Sequence, residues 1–446
     1  MLDKARKIIE ILDKRGHRSY FVGGCVRDML MKKPIIDIDI TTSARPEEVM
    51  LIFPEEDIFA VPTGMEHGTV TIVYNGLNIE ITTFRRDVST DGRRSTVEFG
   101  TSLEEDLLRR DFTINAIAYC PKLDRYIDPY GGMEDIQGRV IRAVGLPLER
   151  FREDYLRMIR AHRFEATLEF VIAEATRAAL ALAARDDWRT IISVERIRDE
   201  IKKCLEQAER PSVMFEGMRK SGLLKMILPE LDSCFGFEQN KYHEFDLYHH
   251  TLLTIDEAPK ELYLVRWSAL LHDLGKPSSC ENYGPDATFY KHEMASVEIS
   301  GKLMKRLKFS KKETASALNL VRHHMFQYSD DMKDSTVRRF VASVGVENLK
   351  DLCALWFADK SAMGRNIDPK RLAGATAILS RLEKMSEAEK IFKLKDLAID
   401  GKEVMDIRKI PPSHEVGSIL KKLYENVIED TTLNTNEQLK RMVESM

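Results

Sequence analysis

Strand-like patterning in this chain stops near residue 140. Before that point SYFVGG (19–24), IIDIDIT (35–41), HGTVTIVYNG (67–76) and LNIEITTF (77–84) read as short strands punctuated by glycine. After it, apolar residues recur at three- and four-residue spacing to the end, with no strand-like alternation of length. One continuous sheet cannot be built from such a chain. The pattern predicts an α+β fold, a small α/β head followed by a larger helical body. Breaks fall at GLPLERF (145–151), AERPS (208–212) and GRNIDPKR (364–371). They divide the chain into a head (1–140), a helical neck (141–210), a helical body (211–370) and a helical tail (371–446).

The 446 residues suffice for two or more domains. A net charge of -4 gives no global basic signature, so a nucleic-acid surface would have to be local. The six cysteines (25, 120, 204, 234, 280, 353) lie far apart without a CxxC pair. That argues against a cysteine–metal cluster and a disulfide framework, and for reduced thiols in the cytoplasm. The opening MLDKARKIIEILDKRG reads as an amphipathic helix and not as a signal peptide. The most apolar stretch, AALALAA (178–184), is too short to span a bilayer, so no membrane partner is expected.

KPIIDIDITT (33–42) sets Asp37 and Asp39 among isoleucines. On a strand the two acids share one face and Ile36, Ile38 and Ile40 the other. Like charges side by side are unfavourable unless something lies between them. Carboxylate oxygens suit Mg²⁺, which completes its shell from water and substrate phosphates. Two metals roughly 3.5–4 Å apart would clamp the oxygens of an in-line phosphoryl transfer. A solvated edge strand is the bland alternative. Upstream, FVGGCVRD (21–28) places Gly23 and Gly24 between an apolar strand and a helix opening at Val26. Glycines there let backbone approach a triphosphate. Downstream, NIEIT offers Glu80 on a third strand.

Strand–Gly-Gly–helix, the alternating acid pair and the later acid together resemble the polymerase-beta-like nucleotidyltransferase superfamily. Further segments narrow the resemblance: EEDLLRRDFTINAIAY (104–119), IDPYGGMEDIQGRVIRAVG (127–145), RFREDYLRMIRAHRFEATLEF (150–170) and SVERIRDEI (193–201). In this order, over roughly 18–205, they resemble the class II tRNA nucleotidyltransferases, the CCA-adding enzymes, and the related bacterial poly(A) polymerases. The tail LAIDGKEVMDIRKIPPSHEVGSILKKLYENV (397–427) is similar to their C-terminal helical module, more loosely because a Gly usual after the first Pro is missing. The resemblance implies a polymerase-beta-like head, catalysis by Asp37, Asp39 and Glu80, and Mg²⁺ held by the aspartates. It implies CCA addition to tRNA from CTP and ATP, by a monomer or homodimer. Gly23, Gly24, Arg27, Arg110, Asp111 and Asn115 would contact the nucleotide. Asp111 could equally cap a helix starting at DFTINA.

If residues 153–164 are helical, Asp154 and Arg157 are neighbours on one face. Asp accepts hydrogen bonds and Arg donates them. Together they complement an amino donor beside a ring-nitrogen acceptor, an edge that adenine and cytosine share and guanine and uracil lack. An ordinary intrahelical ion pair is the alternative; the family uses these positions to read the base. Residues 139–163 hold seven Arg and no Lys, and Arg160 and Arg163 would reach the triphosphate. FRRDVSTDGRRSTVEFG (84–100) reads as a polar, mobile loop around Asp91-Gly92. Full CCA-adding enzymes carry a flexible loop here; this one lacks the usual aromatic before Asp-Gly and has Ser95 where Pro is common.

Seven of the eleven histidines fall at 243–324. YHHTLL (248–253), ALLHDLGKP (269–277), FYKHEMAS (289–296), LVRHHMF (320–326) and FADKSA (357–362) resemble the HD phosphohydrolase superfamily. Imidazoles with carboxylates suit Zn²⁺, Mn²⁺, Fe or Ni²⁺, and a metal-activated water can cleave a phosphoester. His250, His272, Asp273 and Asp359 are the candidate ligands, with His292, His323 and His324 for a second ion. The alternative for any one histidine is a hydrogen-bonded core residue. Three rival readings stand beside CCA addition: an A-adding enzyme or poly(A) polymerase, an HD metallophosphohydrolase with a vestigial head, and a non-catalytic RNA-binding module.

Overall fold

The computed structural model describes every residue except 57, 91, 93, 94, 365–368, 386–389 and 391. The chain divides into two compact units, Met1–Ile227 and Leu228–Met446, a coarser division than the four parts read from the sequence.

Among the described residues of the first unit, nine strands lie in the head: β1 Ser19–Val22, β2 Asp39–Thr42, β3 Phe59–Gly64, β4 Thr69–Tyr74, β5 Leu77–Thr83, β6 Arg85–Thr90, β7 Ser95–Phe99, β8 Ala118–Cys120 and β9 Arg125–Ile127. Seven form one sheet in the order β3-β4-β5-β2-β1-β8-β9, and β6 pairs with β7 in a separate hairpin. Neighbours in the large sheet run antiparallel except β2 and β5, which run parallel with Asp39 opposite Glu80. The opening helix, Leu2–Lys14, repeats Ala5, Ile8, Ile9 and Leu12 at helical spacing and buries all four. They join a core with Phe21, Ile40, Ile79 and Ile81. Each large side chain so buried contributes about 1.5–3 kcal/mol.

Two local expectations change. The acid-pair strand starts at Asp39, not before Asp37. Ile38 and Ile40 are buried, but Ile36 is 75% exposed. Pro34, which has no N–H, precedes this stretch and disfavours ladder pairing there. The segment expected as a loop at 84–100 is largely the β6–β7 hairpin. Asp91 lies outside the described residues.

Residues beyond 140 are mostly but not wholly helical. Val140–Ile141 pairs in parallel with Val171–Ile172, and Cys280–Glu281 pairs with Thr288–Phe289. In the first unit the main helices here are Pro147–Glu153, Leu156–Leu168 and Val194–Gln207. In the second unit Leu247–Glu257, Tyr263–Leu271, His292–Arg306, Lys311–His323 and Leu349–Ser361 bring the histidine-rich segments together. The final helices share a small core of Val404, Leu423, Val427, Leu439 and Val443. Among the described residues no helix is long and apolar enough to cross a membrane.

Candidate functional site

The parallel register sets Glu80 directly beside Asp39 on neighbouring strands. Asp37 stands two residues before it, just off the strand. Burial pushes the Asp39 carboxyl up, Arg110 pulls it down, and Glu80 and Asp37 push it up again. This uncompensated negative charge fits a divalent cation with oxygen ligands. Gly23 adopts φ +75, a conformation that favours glycine. A Cβ there would lie 3.0 Å from Arg110 Nη1 and 3.2 Å from Asp39 Oδ2. The Gly-Gly turn thus keeps the space beside the acids clear of side chain. The helix after it spans Gly24–Leu30, opening two residues before the expected Val26.

A cavity of about 560 Å³ opens beside this strand edge. Its wall includes Gly23, Gly24, Arg27, Asp37, Asp39, Arg110, Asp111, Asn115, Asp154, Arg157, Arg160 and Arg163. Glu80, exposed on β5, lies outside this lining. The cationic groups are held by acids already present. Asp106, fully buried, receives Arg109 Nε at 3.2 Å, Arg110 Nη2 at 3.5 Å and the Thr41 hydroxyl at 3.2 Å. Asp111 Oδ2 accepts Arg160 Nε at 2.9 Å and Nη2 at 2.7 Å. Burial would raise the Asp111 carboxyl, but Arg160 and the Asn115 amide hold it far below the usual range. Asp111 is not a helix cap: its Oδ1 accepts the Phe112 and Asn115 donors, and Phe112 precedes the short 3-10 turn Thr113–Asn115. Asn115 in turn accepts Arg27 Nη1 at 2.9 Å. Arg163 is buried, donates to Glu200 at 2.5 Å and lies over the Phe164 ring at 4.0 Å. Its expected reach to a triphosphate is therefore limited by that pairing, whereas the Arg160 side chain keeps 29% exposure.

Asp154 and Arg157 do not share a helix face in the way the spacing predicts. The helix breaks at Asp154, which is extended at φ -150 and ψ 102, and restarts at Leu156. Asp154 Oδ1 accepts the Leu156 N–H, a local bond that competes with helix. The Tyr155 N–H goes to the Gly92 carbonyl at the tip of the β6–β7 hairpin, not to a helical partner. The two side chains do not pair with each other among the described contacts. Asp154 Oδ2 takes Arg196 Nη2 at 2.7 Å. Arg157 donates to the Arg109 carbonyl, the Arg150 carbonyl and Glu153 at 2.7–2.8 Å. Both still border the same cavity.

In the second unit, His250, His272, Asp273, His292, His324 and Asp359 are all buried and converge. Asp273 Oδ2 lies 3.1 Å from His272 Nε2 and 3.6 Å from His250 Nε2; its Oδ1 lies 3.2 Å from His292 Nε2 and 3.4 Å from His324 Nε2. Asp359 Oδ1 is 3.1 Å from His250 Nε2 and 3.7 Å from His272 Nε2. All four Nδ1 atoms face backbone carbonyls, of Ala362, Ala269, Phe289 and Val321. A carbonyl only accepts, so each Nδ1 carries the proton and each Nε2 is left to point inward, as metal ligation requires. His250 Nε2, His272 Nε2 and Asp273 Oδ1 are buried without a hydrogen-bond partner. His292 Nε2 and His324 Nε2 face each other at 3.2 Å. Two bare lone pairs that close call for a cation, and this donor set fits one or two transition metals. Lys276 and Lys360 each donate to a carboxylate of the cluster at 2.6 Å.

His323 is not part of this group. It packs against the Phe340 ring at 6.0 Å and borders a different cavity. Successive helical residues point about 100° apart, so only one of His323 and His324 can face the cluster.

Sequence reading assigned no role to Asp106, Glu153, Arg196 or Glu200, although each lies inside a quoted motif. Asp106 and Arg110 stand four residues apart around one helical turn, a spacing that signals an ion pair. The pairing of Arg196 with Asp154, 42 residues away, has no such local signal.

Three family profiles match in succession: "Poly A polymerase head domain" over 19–142, "Probable RNA and SrmB- binding site of polymerase A" over 169–235, and "tRNA nucleotidyltransferase domain 2" over 288–443. The chain is 50% identical over 204 residues to the CCA-adding enzyme of Bacillus cereus, 45% of this chain and 50% of the relative. The match thus spans about half the length of that curated relative. The crystal structure of the Bacillus stearothermophilus CCA-adding enzyme in complex with CTP superposes with a TM-score of 0.72 at 29% identity, covering 99% of this chain and 96% of that one. The Thermotoga maritima CCA-adding enzyme complexed with tRNA shares the fold, with a TM-score of 0.57 at 21% identity, covering 99% and 94%. Profile matches in order from head to tail, 50% identity over 204 residues and a fold shared over 99% of the chain make this chain similar to the CCA-adding enzymes.

Proposed function

We propose that this chain is a cytoplasmic tRNA nucleotidyltransferase that adds CCA to tRNA 3′ ends from CTP and ATP without a nucleic-acid template. One observation carries the reading: the acid pair, the Gly-Gly turn, the arginines and the Asp154–Arg157 pair border a single cavity. The names of the relatives agree with it. Asp37 and Asp39 would hold Mg²⁺, which when bound supplies Lewis-acid stabilisation of the phosphate charge. Arg110 and Arg160, anchored on Asp106 and Asp111, present forked donors to the triphosphate. Asp154 accepts from the base amino group and Arg157 donates to its ring nitrogen. The RNA 3′-hydroxyl oxygen bonds to the α-phosphorus, the bond to the β-phosphate oxygen breaks, and pyrophosphate leaves. Glu80, beside Asp39 on the neighbouring strand, would help take the hydroxyl proton. Purified protein incubated with tRNA lacking its CCA, and each nucleotide separately, tests this. CTP should be incorporated first and ATP only after CC. ATP alone added to any RNA end would favour the A-adding reading instead, and GTP incorporated as fast as CTP would remove the base-reading role.

The orphaned Nε2 atoms favour a second activity, a metal-dependent phosphohydrolase in the second unit. His250, His272, Asp273 and Asp359 would hold one ion and His292, His324 and Asp273 another. The ion would be Mn²⁺, Ni²⁺, Zn²⁺ or Fe, and would supply Lewis-acid activation of water. Removing a 3′-end phosphate would expose the hydroxyl that nucleotide addition needs.

A further inference from the structure

The histidine left out of the buried cluster borders a cavity of its own. About 520 Å³ in volume, it runs along the helix Lys311–His323, against the end of the helix Asp334–Val344. It shares no lining residue with the cavity at the histidine–aspartate cluster. Ser316, Asn319, Arg322, His323, Ser343 and Asn348 line it, and among the described residues no acid does. Two amides here are pinned and only partly used. Asn319 Nδ2 donates to the Val344 carbonyl at 2.5 Å, and Asn348 Nδ2 to the same carbonyl at 2.9 Å. Capping that last carbonyl of its helix is their structural work. Each amide keeps a second N–H and its Oδ1, a donor and an acceptor. Arg322 is exposed and has no carboxylate partner among the described residues, and neither His323 ring nitrogen nor the Ser316 hydroxyl has a hydrogen-bond partner there. One solvated arginine is ordinary. An uncompensated guanidinium beside two fixed amides in one acid-free cavity selects a ligand with both negative charge and a hydrogen-bonding edge.

We infer that this cavity binds one unpaired nucleotide, free or within RNA, with its phosphate on Arg322 and its base edge on the amides of Asn319 and Asn348, and leaves it intact. The inference depends on neither reading of the two sites above. A guanidinium fork matches phosphate oxygens. An asparagine amide held in place reads a base edge with paired donor and acceptor. Asn319 and Arg322 stand three residues apart on one helix, about 5–6 Å between Cβ atoms, so one nucleotide can reach both. The volume lies within the range of small-molecule sites, roughly 300–1,000 Å³. Among the described lining residues no hydroxyl bonds to the His323 ring, so nothing here activates a nucleophile, and the site binds without chemistry.

The test titrates the full chain by calorimetry with adenosine 5′-monophosphate and with ribose 5-phosphate, its abasic counterpart. Arg322→Gln should weaken both about tenfold. Asn348→Ala should weaken the adenosine probe about tenfold and leave ribose 5-phosphate unchanged. Ala315→Trp, at an exposed position of the wall, should fill the cavity and remove binding of both. Asn348→Ala also gives up a capping bond, so the thermal midpoint is measured for each variant. Should that one unfold, Arg322→Gln and Ala315→Trp, both at exposed positions, still decide. None of the three touches the head cavity or the histidine cluster, so nucleotide held there cancels in the comparison. A trinucleotide of adenosine with a 5′-hydroxyl, whose phosphates are all diesters, distinguishes the sources. Arg322 dependence that extends to the trinucleotide assigns the site to RNA, and dependence confined to the monophosphate assigns it to free nucleotides. Adenosine 5′-monophosphate binding unchanged in Arg322→Gln and Ala315→Trp overturns the inference. So does wild-type protein that holds ribose 5-phosphate as tightly as the adenosine probe, since the amides then read no base.

Discussion

The two sites gather negative charge in opposite surroundings. In the first unit Asp37 and Glu80 are exposed, and Asp39 borders an arginine-rich cavity open to solvent. In the second, both aspartates and all four histidines are buried at the floor of a smaller cavity. An open carboxylate cluster leaves ligand positions for water and substrate phosphates, so the nucleotide itself completes the site. A buried imidazole–carboxylate cluster supplies most ligands from the protein and holds its metal between substrates. The first cluster leaves room for a bound phosphate to complete it; the second already has its candidate ligands gathered.

The largest test separates them by chemistry. Asp37→Asn with Asp39→Asn should lower nucleotide incorporation into tRNA at least about 10³-fold, measured in single turnover with labelled CTP. His272→Ala with Asp273→Ala should leave that rate within about twofold. The reverse pattern would make the second unit the working site and the head vestigial.

Metal removal sharpens the contrast. Adding Mn²⁺ at about a hundredfold excess over its dissociation constant should stabilise the wild-type second unit by about 2.7 kcal/mol. Thermal unfolding with and without chelator measures this. The gain should vanish in His250→Ala, while Mg²⁺ added without nucleotide should shift the melting temperature little.

Charge inside the first unit gives a pH test. Burial would raise the Glu200 carboxyl, but Arg160 and Arg163 outweigh it and hold the group below its ordinary range. A carboxylate depressed in the folded state stabilises above its unfolded pKa, about 4.3, and loses that contribution as pH falls through the folded value. Glu200→Gln should therefore cost about 2–3 kcal/mol at pH 7 and progressively less below pH 4, measured by urea unfolding. An equal cost at both pH values would mean that packing, not charge, sets the effect.

The sequence carried these sites unequally, for reasons of period and distance. Asp37 and Asp39 stood out as an acid pair among isoleucines, but the strand alternation that drew attention to them holds only from Asp39 on. The opposition of Asp39 and Glu80 was not, because β2 and β5 are separated by two other strands in the chain and their register is set by tertiary pairing. The histidines were legible as a set, but choosing His324 over His323 requires the phase of a helix end. The three-residue step from Asp154 to Arg157 looks the same in a helix and in a turn. The turn is held by the Asp154 side chain on the Leu156 N–H and by the Gly92 carbonyl, far upstream, on the Tyr155 N–H, and no local spacing reports the second.

The smallest predicted effect concerns that turn. Arg196 Nη2 fixes Asp154 Oδ2 at 2.7 Å, and the Leu156 N–H fixes Oδ1 at 3.1 Å. Each carboxylate oxygen keeps a second lone pair, so Asp154 can accept from a base amino group without losing either bond. Arg196→Met removes one restraint and leaves the acceptor. Asp154→Ala removes the acceptor itself and should reduce preference for CTP over UTP by about 1–3 kcal/mol. Arg196→Met should lower the same preference by only about threefold, through a faster rate with UTP and a slower one with CTP, while the KM for tRNA stays fixed. Competition between the two nucleotides at equal concentration measures the ratio directly. A loss as large as that of Asp154→Ala would mean that Arg196 touches the base. An unchanged ratio would mean that the Leu156 amide alone orients the carboxylate.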